Sequence, residues 1–169
     1  MTARFRVEPL GPGHDRAAFR SGVPALDRYL HELAMQDMRR RIASAFLALV
    51  DPGAEIAGFY TIAATGLPIT DLPEAITRRL PRYPTLPAIR LGRLAVARDW
   101  QGHKLGAALL IDALRRCQRS GIAAFAMVVD AKDESAAAFY RHHGFVPLAD
   151  VSPHLFLPIA SAERLLGGA

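Results

Sequence analysis

The sequence predicts an α/β fold, with a mixed central sheet of roughly six to seven strands flanked by about four helices, in a single domain over residues 1–169. Three observations predict it. Short apolar or alternating runs are interleaved with stretches of helical periodicity, instead of being gathered into all-strand or all-helix blocks. Residues 122–129 are apolar throughout, which implies a strand buried on both faces and paired in parallel near the middle of a sheet. The hexapeptide Gln101-Gly102-His103-Lys104-Leu105-Gly106 lies between an apolar run at 91–96 and an amphipathic pattern that follows, so strand, tight turn and helix succeed one another.

Residues 5–10 alternate Phe5, Val7 and Pro9 with Arg6 and Glu8 and read as a first strand, stopped by Gly11-Pro12-Gly13. From 15 to 41 the apolar residues Phe19, Leu26, Tyr29, Leu30, Leu33 and Met38 fall mostly three or four apart. Pro24 divides this stretch into two helices, the second ending in Arg39-Arg40-Arg41 at the negative end of its dipole. Runs at 43–50 and 56–64, joined by Asp51-Pro52-Gly53-Ala54, make a hairpin. Residues 65–87 are proline-rich and form a long connection with one short helix at 73–80; Arg78, Arg79 and Arg82 on it suit a polyanionic substrate. A fourth strand covers 88–97, and a helix at 104–119 shows Leu105, Leu109, Leu110, Ala113, Leu114 and Cys117 on one stripe, with Gly121 as its stop. After the strand at 122–129, a short helix runs from about Asp133 to His143 and ends at Gly144. Two strands at 145–148 and 155–159 and a tail helix from about Ser161 complete the chain.

Composition bounds the function. No apolar stretch approaches the ~18 residues of a membrane span, and the N-terminal residues form no long apolar run, so a cytoplasmic protein with no membrane partner is expected. Cys117 is the only cysteine, which rules out an internal disulfide and a cysteine-rich zinc site; it reads as a core residue, and no metal is expected. The net charge is +5, and of 21 basic residues only Lys104 and Lys132 are lysines. Arginine's planar fork suits phosphate, although a coding bias gives the same enrichment.

A turn bearing glycine at the start of a helix is an anion site, because unpaired N–H groups and the positive end of the dipole point the same way. The hexapeptide is neither a P-loop nor a dinucleotide fingerprint. Gln-x-x-Lys104-x-Gly after Arg-Leu-Ala-Val resembles motif A of the GNAT N-acetyltransferases, usually written Gln/Arg-x-x-Gly-x-Gly/Ala. Lys104 departs from it. If position 104 needs positive φ, a Cβ there weakens the site; if it is helical, the amide still donates and the ammonium adds charge, and the intact remainder of the loop favours this second reading. The segment from Val128 to Phe145, with Phe139-Tyr140 before Gly144-Phe145, is similar to motif B of the same family.

The resemblance implies a sheet splayed between strands 4 and 5, with acetyl-CoA on Leu94, Ala95 and Val96, its pyrophosphate on Gln101, Gly102, His103, Lys104, Leu105 and Gly106, and further contacts from Asp133, Ser135 and Phe139. It also implies that Phe139 packs in the core while Tyr140 is the general acid that protonates the departing thiolate; a phenol with a reference pKa of about 10 stays protonated at neutral pH. His142 and His143 read as cap or surface residues. No Asp or Glu lies between Pro84 and Ala97, where Arg90 and Arg93 sit instead, which disfavours a lysine substrate and suits an α-amine carried on a polyanion.

The fuller pattern, with Phe-Val-Pro-Leu and a closing Leu-Phe-Leu-Pro, resembles the GNAT toxins of bacterial toxin–antitoxin pairs. That resemblance implies acetylation of aminoacyl-tRNA, with Arg78, Arg79, Arg82, Arg90 and Arg93 on its phosphates. It also implies a ribbon-helix-helix antitoxin, operator DNA reached only through that antitoxin, and a homodimer. The alternatives are a GNAT enzyme acting on a protein N-terminus or small amine, and a non-catalytic CoA- or RNA-binding GNAT module.

Overall fold

In the computed structural model, which describes residues 4–148 and 151–167, the seven strands are β1 (Arg4–Pro9), β2 (Ser44–Asp51), β3 (Ile56–Pro68), β4 (Thr85–Val96), β5 (Ala126–Asp130), β6 (Val146–Leu148) and β7 (Val151–Pro158). They pair in the order β1-β2-β3-β4-β5-β7-β6. The pairings β1–β2, β2–β3, β5–β7 and β6–β7 are antiparallel, and β4 and β5 run parallel. The helices are α1 (Pro24–Arg28), α2 (Ala34–Arg39), α3 (Glu74–Thr77), α4 (Leu105–Arg119), α5 (Glu134–His142) and α6 (Ile159–Ala162). Among the described residues, no helix is long and apolar enough to cross a membrane.

Two compact units are distinguished, 1–63 with 91–113 and 64–90 with 114–169. In the first, Leu47, Leu49 and Phe59 from the β2–β3 hairpin pack with Phe19, Tyr29, Leu30 and Ala34. Each leucine and phenylalanine among these contributes about 1.5–3 kcal/mol when fully buried. Gly58 is required here: a Cβ on it would lie 2.8 Å from the Ala95 carbonyl and 2.9 Å from a Leu109 methyl. In the second unit, Leu86, Ala88, Ala126, Val128 and Phe156 line one sheet face, covered by Leu72, Ile76 and Leu80 from the segment carrying α3.

Several expectations are corrected. Residues 15–23 form turns, not a first helix, because Asp15 Oδ1 accepts from the Ala17 amide at 3.2 Å and Gly22 has φ +95. Pro24 starts the helical run instead of dividing it, which suits a residue whose missing N–H costs nothing in the first turn. Between α1 and α2 the run is π-helical at Tyr29–Leu33. The fourth strand begins at Thr85 and the third continues to Pro68, so the long connection shrinks to 69–84. Residues 122–125 lie outside β5, and Ile122 is 73% exposed, since Gly121 at φ +77 turns the chain and Ser120 Oγ accepts from the Ile122 amide. The turn expected near Asp150 falls partly outside the described residues.

Candidate acyl-CoA and substrate site

The loop at 101–106 is built on a short 3-10 turn, Arg98–Trp100, that follows β4. Trp100 anchors it: its ring meets Phe5 edge-on at 5.5 Å, its Nε1 donates to Glu55 Oε1 at 3.0 Å, and His103 lies 5.7 Å away, centroid to centroid. Gln101 Nε2 donates to the Ser21 carbonyl at 2.8 Å and to the Val96 carbonyl at 3.0 Å. Both amide protons are thereby used, and the Gln101 backbone N–H donates to the Arg98 carbonyl at 3.3 Å, so Gln101 braces the loop and keeps no free donor of its own. The Ala108 amide donates to the Lys104 carbonyl at 3.2 Å, which closes the first turn of α4. The amides of Leu105, Gly106 and Ala107 precede that bond and have no acceptor within the helix, the arrangement an anion requires. Gly102 has φ +84, and a Cβ on it would meet nothing within 4 Å, so the loop is open above it. These features fit a pyrophosphate.

Lys104 has φ +62, so the preference for a right-handed helical backbone at this position is overturned. Gln101, Gly102, His103 and Lys104 are all exposed, whereas Leu105 is buried and anchors the start of α4. A glycine is the natural occupant of such a backbone, and a residue with a Cβ carries a strain of about 1–2 kcal/mol there. Lys104 therefore keeps the loop shape that a glycine would adopt freely and adds a cation beside it. On β4, Ala95 is buried, and Leu94 and Val96 are half-buried.

In the second unit, α5 begins with Asp133 as its cap, whose Oδ1 accepts from the Ala136 amide at 2.8 Å. That amide, and then Lys132, hold the Asp133 carboxyl below its ordinary range. Ser135 is exposed. Burial differs from the expectation that Phe139 is the residue in the core: Tyr140 is 8% exposed and Phe139 half-buried. One turn of helix places the Tyr140 ring between Phe139, at 5.2 Å, and Phe145, at 5.4 Å. Burial pushes its phenol up to about 12. His143 caps the helix, with Nδ1 2.9 Å from the Phe139 carbonyl, as expected of it. Cys117 is buried, and burial raises its thiol to about 11, so it is a core residue.

The arginines are held in different ways. Arg78, Arg79 and Arg82 are exposed; Arg78 pairs with Glu74 at 3.4 Å, a surface pair of small energetic weight. Arg78 and Arg82 line an open groove of about 720 Å³ with Ile69, Leu72 and Tyr83. Arg90 is ion-paired with Asp130 at 2.5 Å. The Arg93 guanidinium stacks on the Tyr29 ring, 3.5 Å from its centroid, and the Tyr29 hydroxyl donates to Asp37 Oδ2 at 2.8 Å.

Sequence reasoning missed three groups. Asp27 is buried and accepts from both the amide and the hydroxyl of Ser21, at 2.9 and 2.6 Å, fixing the loop that Gln101 braces. Tyr83 is 62% exposed among arginines. Asp130 joins Arg90 to His154 across three strands. Helical periodicity around Asp27 conceals a contact six residues back, and cross-strand partners such as Asp130 and His154 become visible only once register is known.

A family model described as an acetyltransferase (GNAT) domain matches residues 42–147. A tRNA-acetylating toxin of Mycobacterium tuberculosis is 35% identical, over 90% of this chain and 91% of the relative. A probable toxin TacT of Sinorhizobium fredii is 30% identical, over 98% and 97%. Among solved structures, AtaT complexed with acetyl-methionyl-tRNAfMet has a TM-score of 0.84 at 29% identity, with 96% of this chain and 99% of that one covered. AtaTR bound with AcCoA has a TM-score of 0.82 at 28% identity, covering 95% and 97%. A tyrosine-to-phenylalanine mutant of AtaT bound to the C-terminus of the antitoxin AtaR has a TM-score of 0.80 at 27% identity, covering 96% and 98%. The chain is a member of the GNAT acetyltransferase family.

Proposed function

We propose that this protein is the toxin of a toxin–antitoxin pair and transfers the acetyl group of acetyl-CoA to the α-amine of an aminoacyl-tRNA, which blocks translation. The observation that carries the reading is the preservation of the anion-binding turn at 101–106 despite Lys104, together with a buried, protonated phenol on α5. One relative of nearly full coverage is named a tRNA-acetylating toxin, and one solved neighbour is complexed with acetyl-methionyl-tRNAfMet.

Acetyl-CoA supplies an activated acyl group whose leaving sulfur is stabilised once it is protonated or hydrogen-bonded. The amides at the start of α4, with Gly102, His103 and Lys104, hold the pyrophosphate on a loop that Gln101 braces, and Leu94, Ala95 and Val96 hold the pantetheine arm. Asp133 shapes the start of α5, while Ser135 and Phe139 face the carrier. Tyr140 gives its proton to the thiolate; a phenol raised to about 12 still holds that proton at about pH 8, where an α-amine is already about half neutral. Arg78, Arg79, Arg82 and Arg93 meet tRNA phosphates, as do the Arg90 nitrogens not bonded to Asp130, and the exposed Tyr83 offers a ring on which an unpaired base can stack.

The whole chain acts as one catalytic domain in the cytoplasm. It forms a homodimer and is neutralised by an antitoxin of ribbon-helix-helix type that also carries it to operator DNA. The complex of AtaT with the C-terminus of the antitoxin AtaR supports an antitoxin as partner. Incubation with labelled acetyl-CoA and total charged tRNA tests the reading: label on the aminoacyl ester supports it, and label on a protein N-terminus or small amine selects the other enzyme class.

A further inference from the structure

β4, β5 and β7 are neighbours in the sheet, and each presents a polar residue on the face that carries Leu86, Ala88, Ala126, Val128 and Phe156. Two-residue alternation puts Arg90, Asp130 and His154 on that face, next beyond the apolar cluster. Asp130 and His154 are register partners. His154 Nδ1 is bonded to Asp130 Oδ1, and Arg90 Nη1 donates to Asp130 Oδ2 at 2.5 Å. Both carboxylate oxygens are engaged, and an ionised carboxylate only accepts, so in the neutral form of the ring Nδ1 carries the hydrogen and Nε2 the lone pair. The His154 side chain is 39% exposed, so that lone pair is open to a reactant. Asp130 is the last residue of β5, which runs parallel to β4, and α5 with Tyr140 begins at Glu134. In open parallel sheets, ligands bind off the carboxyl ends of the strands. As a mere surface ion pair this trio contributes only about 0–1 kcal/mol, which leaves its alignment on three strands unexplained.

We propose that His154, oriented by Asp130, is the base that takes the proton from the acceptor amine, with Arg90 fixing the carboxylate; this rests on the acetyltransferase reading above. A carboxylate that holds one ring nitrogen fixes the tautomer and stabilises the imidazolium that forms. The ammonium gives one proton to Nε2, and its freed electron pair forms the N–C bond. The C–S bond then breaks, its electron pair leaves on sulfur, and sulfur takes the Tyr140 proton. The second nitrogen proton returns Tyr140 to its neutral form, and His154 releases the first to solvent. One proton is released in all. Asp130 and Arg90 are positioning residues.

His154→Asn keeps an N–H for Asp130 and removes the base, and His154→Ala removes both; circular dichroism confirms that each variant is folded. Initial rates of labelled acetyl transfer to charged tRNA are measured across pH, and acetyl-CoA affinity by calorimetry. Loss of a general base predicts turnover roughly 100-fold lower at neutral pH with unchanged acetyl-CoA affinity. The gap closes as pH rises past the amine's own value of about 8. Added imidazole restores part of the His154→Ala rate. His154→Asn keeping pace with the wild type overturns the inference, as does a loss that neither imidazole nor higher pH relieves. A wild type that acetylates charged tRNA while the variants keep pace leaves the proposed function standing, whereas a wild type that acetylates no amine removes both.

Discussion

Replacing Lys104 by glycine and, separately, by alanine isolates the backbone at the departure from motif A. At an ordinary right-handed helical position glycine is less stable than alanine by roughly 0.5–1 kcal/mol. Position 104 has φ +62, where an L-residue costs about 1–2 kcal/mol and glycine does not. Glycine's extra freedom in the unfolded chain returns about 0.4–1 kcal/mol of that. The expected balance favours Lys104→Gly over Lys104→Ala by about 1 kcal/mol, or roughly 2–4 °C in melting temperature for a chain of this length. The sign, not the size, is diagnostic. Thermal unfolding of the two variants side by side gives it, and both lack the ammonium, so charge cancels. Calorimetry with acetyl-CoA then adds the second half: two charges 4 Å apart in water interact by about 1 kcal/mol, so both variants bind several-fold more weakly if the ammonium meets phosphate. An alanine variant that melts above the glycine variant would refute the left-handed backbone and the loop geometry that depends on it.

Other perturbations follow from the same structure. Tyr140→Phe lowers turnover by roughly a hundred-fold to ten-thousand-fold while acetyl-CoA affinity stays nearly constant in calorimetry, the range of a lost general acid. Tyr29 and Tyr140 both sit near 12 when folded against about 10 when unfolded, so the folded state holds its protons longer. Stability associated with them is complete below pH ~10 and is lost as pH rises toward ~12, and Tyr140→Phe makes that alkaline loss, read by chemical denaturation, shallower. Gly58→Ala forces a methyl against the Ala95 carbonyl and costs about 1–3 kcal/mol, with a matching fall in melting temperature; an unchanged melt means that β3 and α4 do not approach so closely. Alanine at Arg78, Arg79 and Arg82 weakens binding of charged tRNA and flattens its dependence on salt, by about one unit of slope for each phosphate no longer neutralised.

Much of the fold is legible because period and punctuation agree. Alternation at β1, the hairpin at Asp51–Ala54 and the apolar stripe of α4 each carry their own signal, and the structure has them within a few residues. The elements that periodicity misreads are set by contacts distant in sequence or by single backbone angles. Residues 15–23 have apolar spacing suited to a helix, yet the Ser21–Asp27 bonds and Gly22 hold them as turns. The sequence places the start of β4 too late because Pro87 argues against a strand, while the Phe125 amide donates to its carbonyl and needs nothing from its missing N–H. At the candidate site, the residue types of both motifs can be read directly. The φ of Lys104, the bracing role of Gln101 and the alignment of Asp130 with His154 cannot, since the first is conformational and the others depend on partners 80 and 24 residues away.

The central claim is a chemical one, that acetyl moves from CoA to the α-amine of an amino acid esterified to tRNA. Its most direct measurement is the fate of label from radioactive acetyl-CoA in a pool of charged tRNA, followed by mild alkaline release and identification of the amino acid. The wild type is expected to yield N-acetylated amino acid released from tRNA, and Tyr140→Phe far less. Label recovered only as free acetate, or on protein and not on the ester, contradicts the claim.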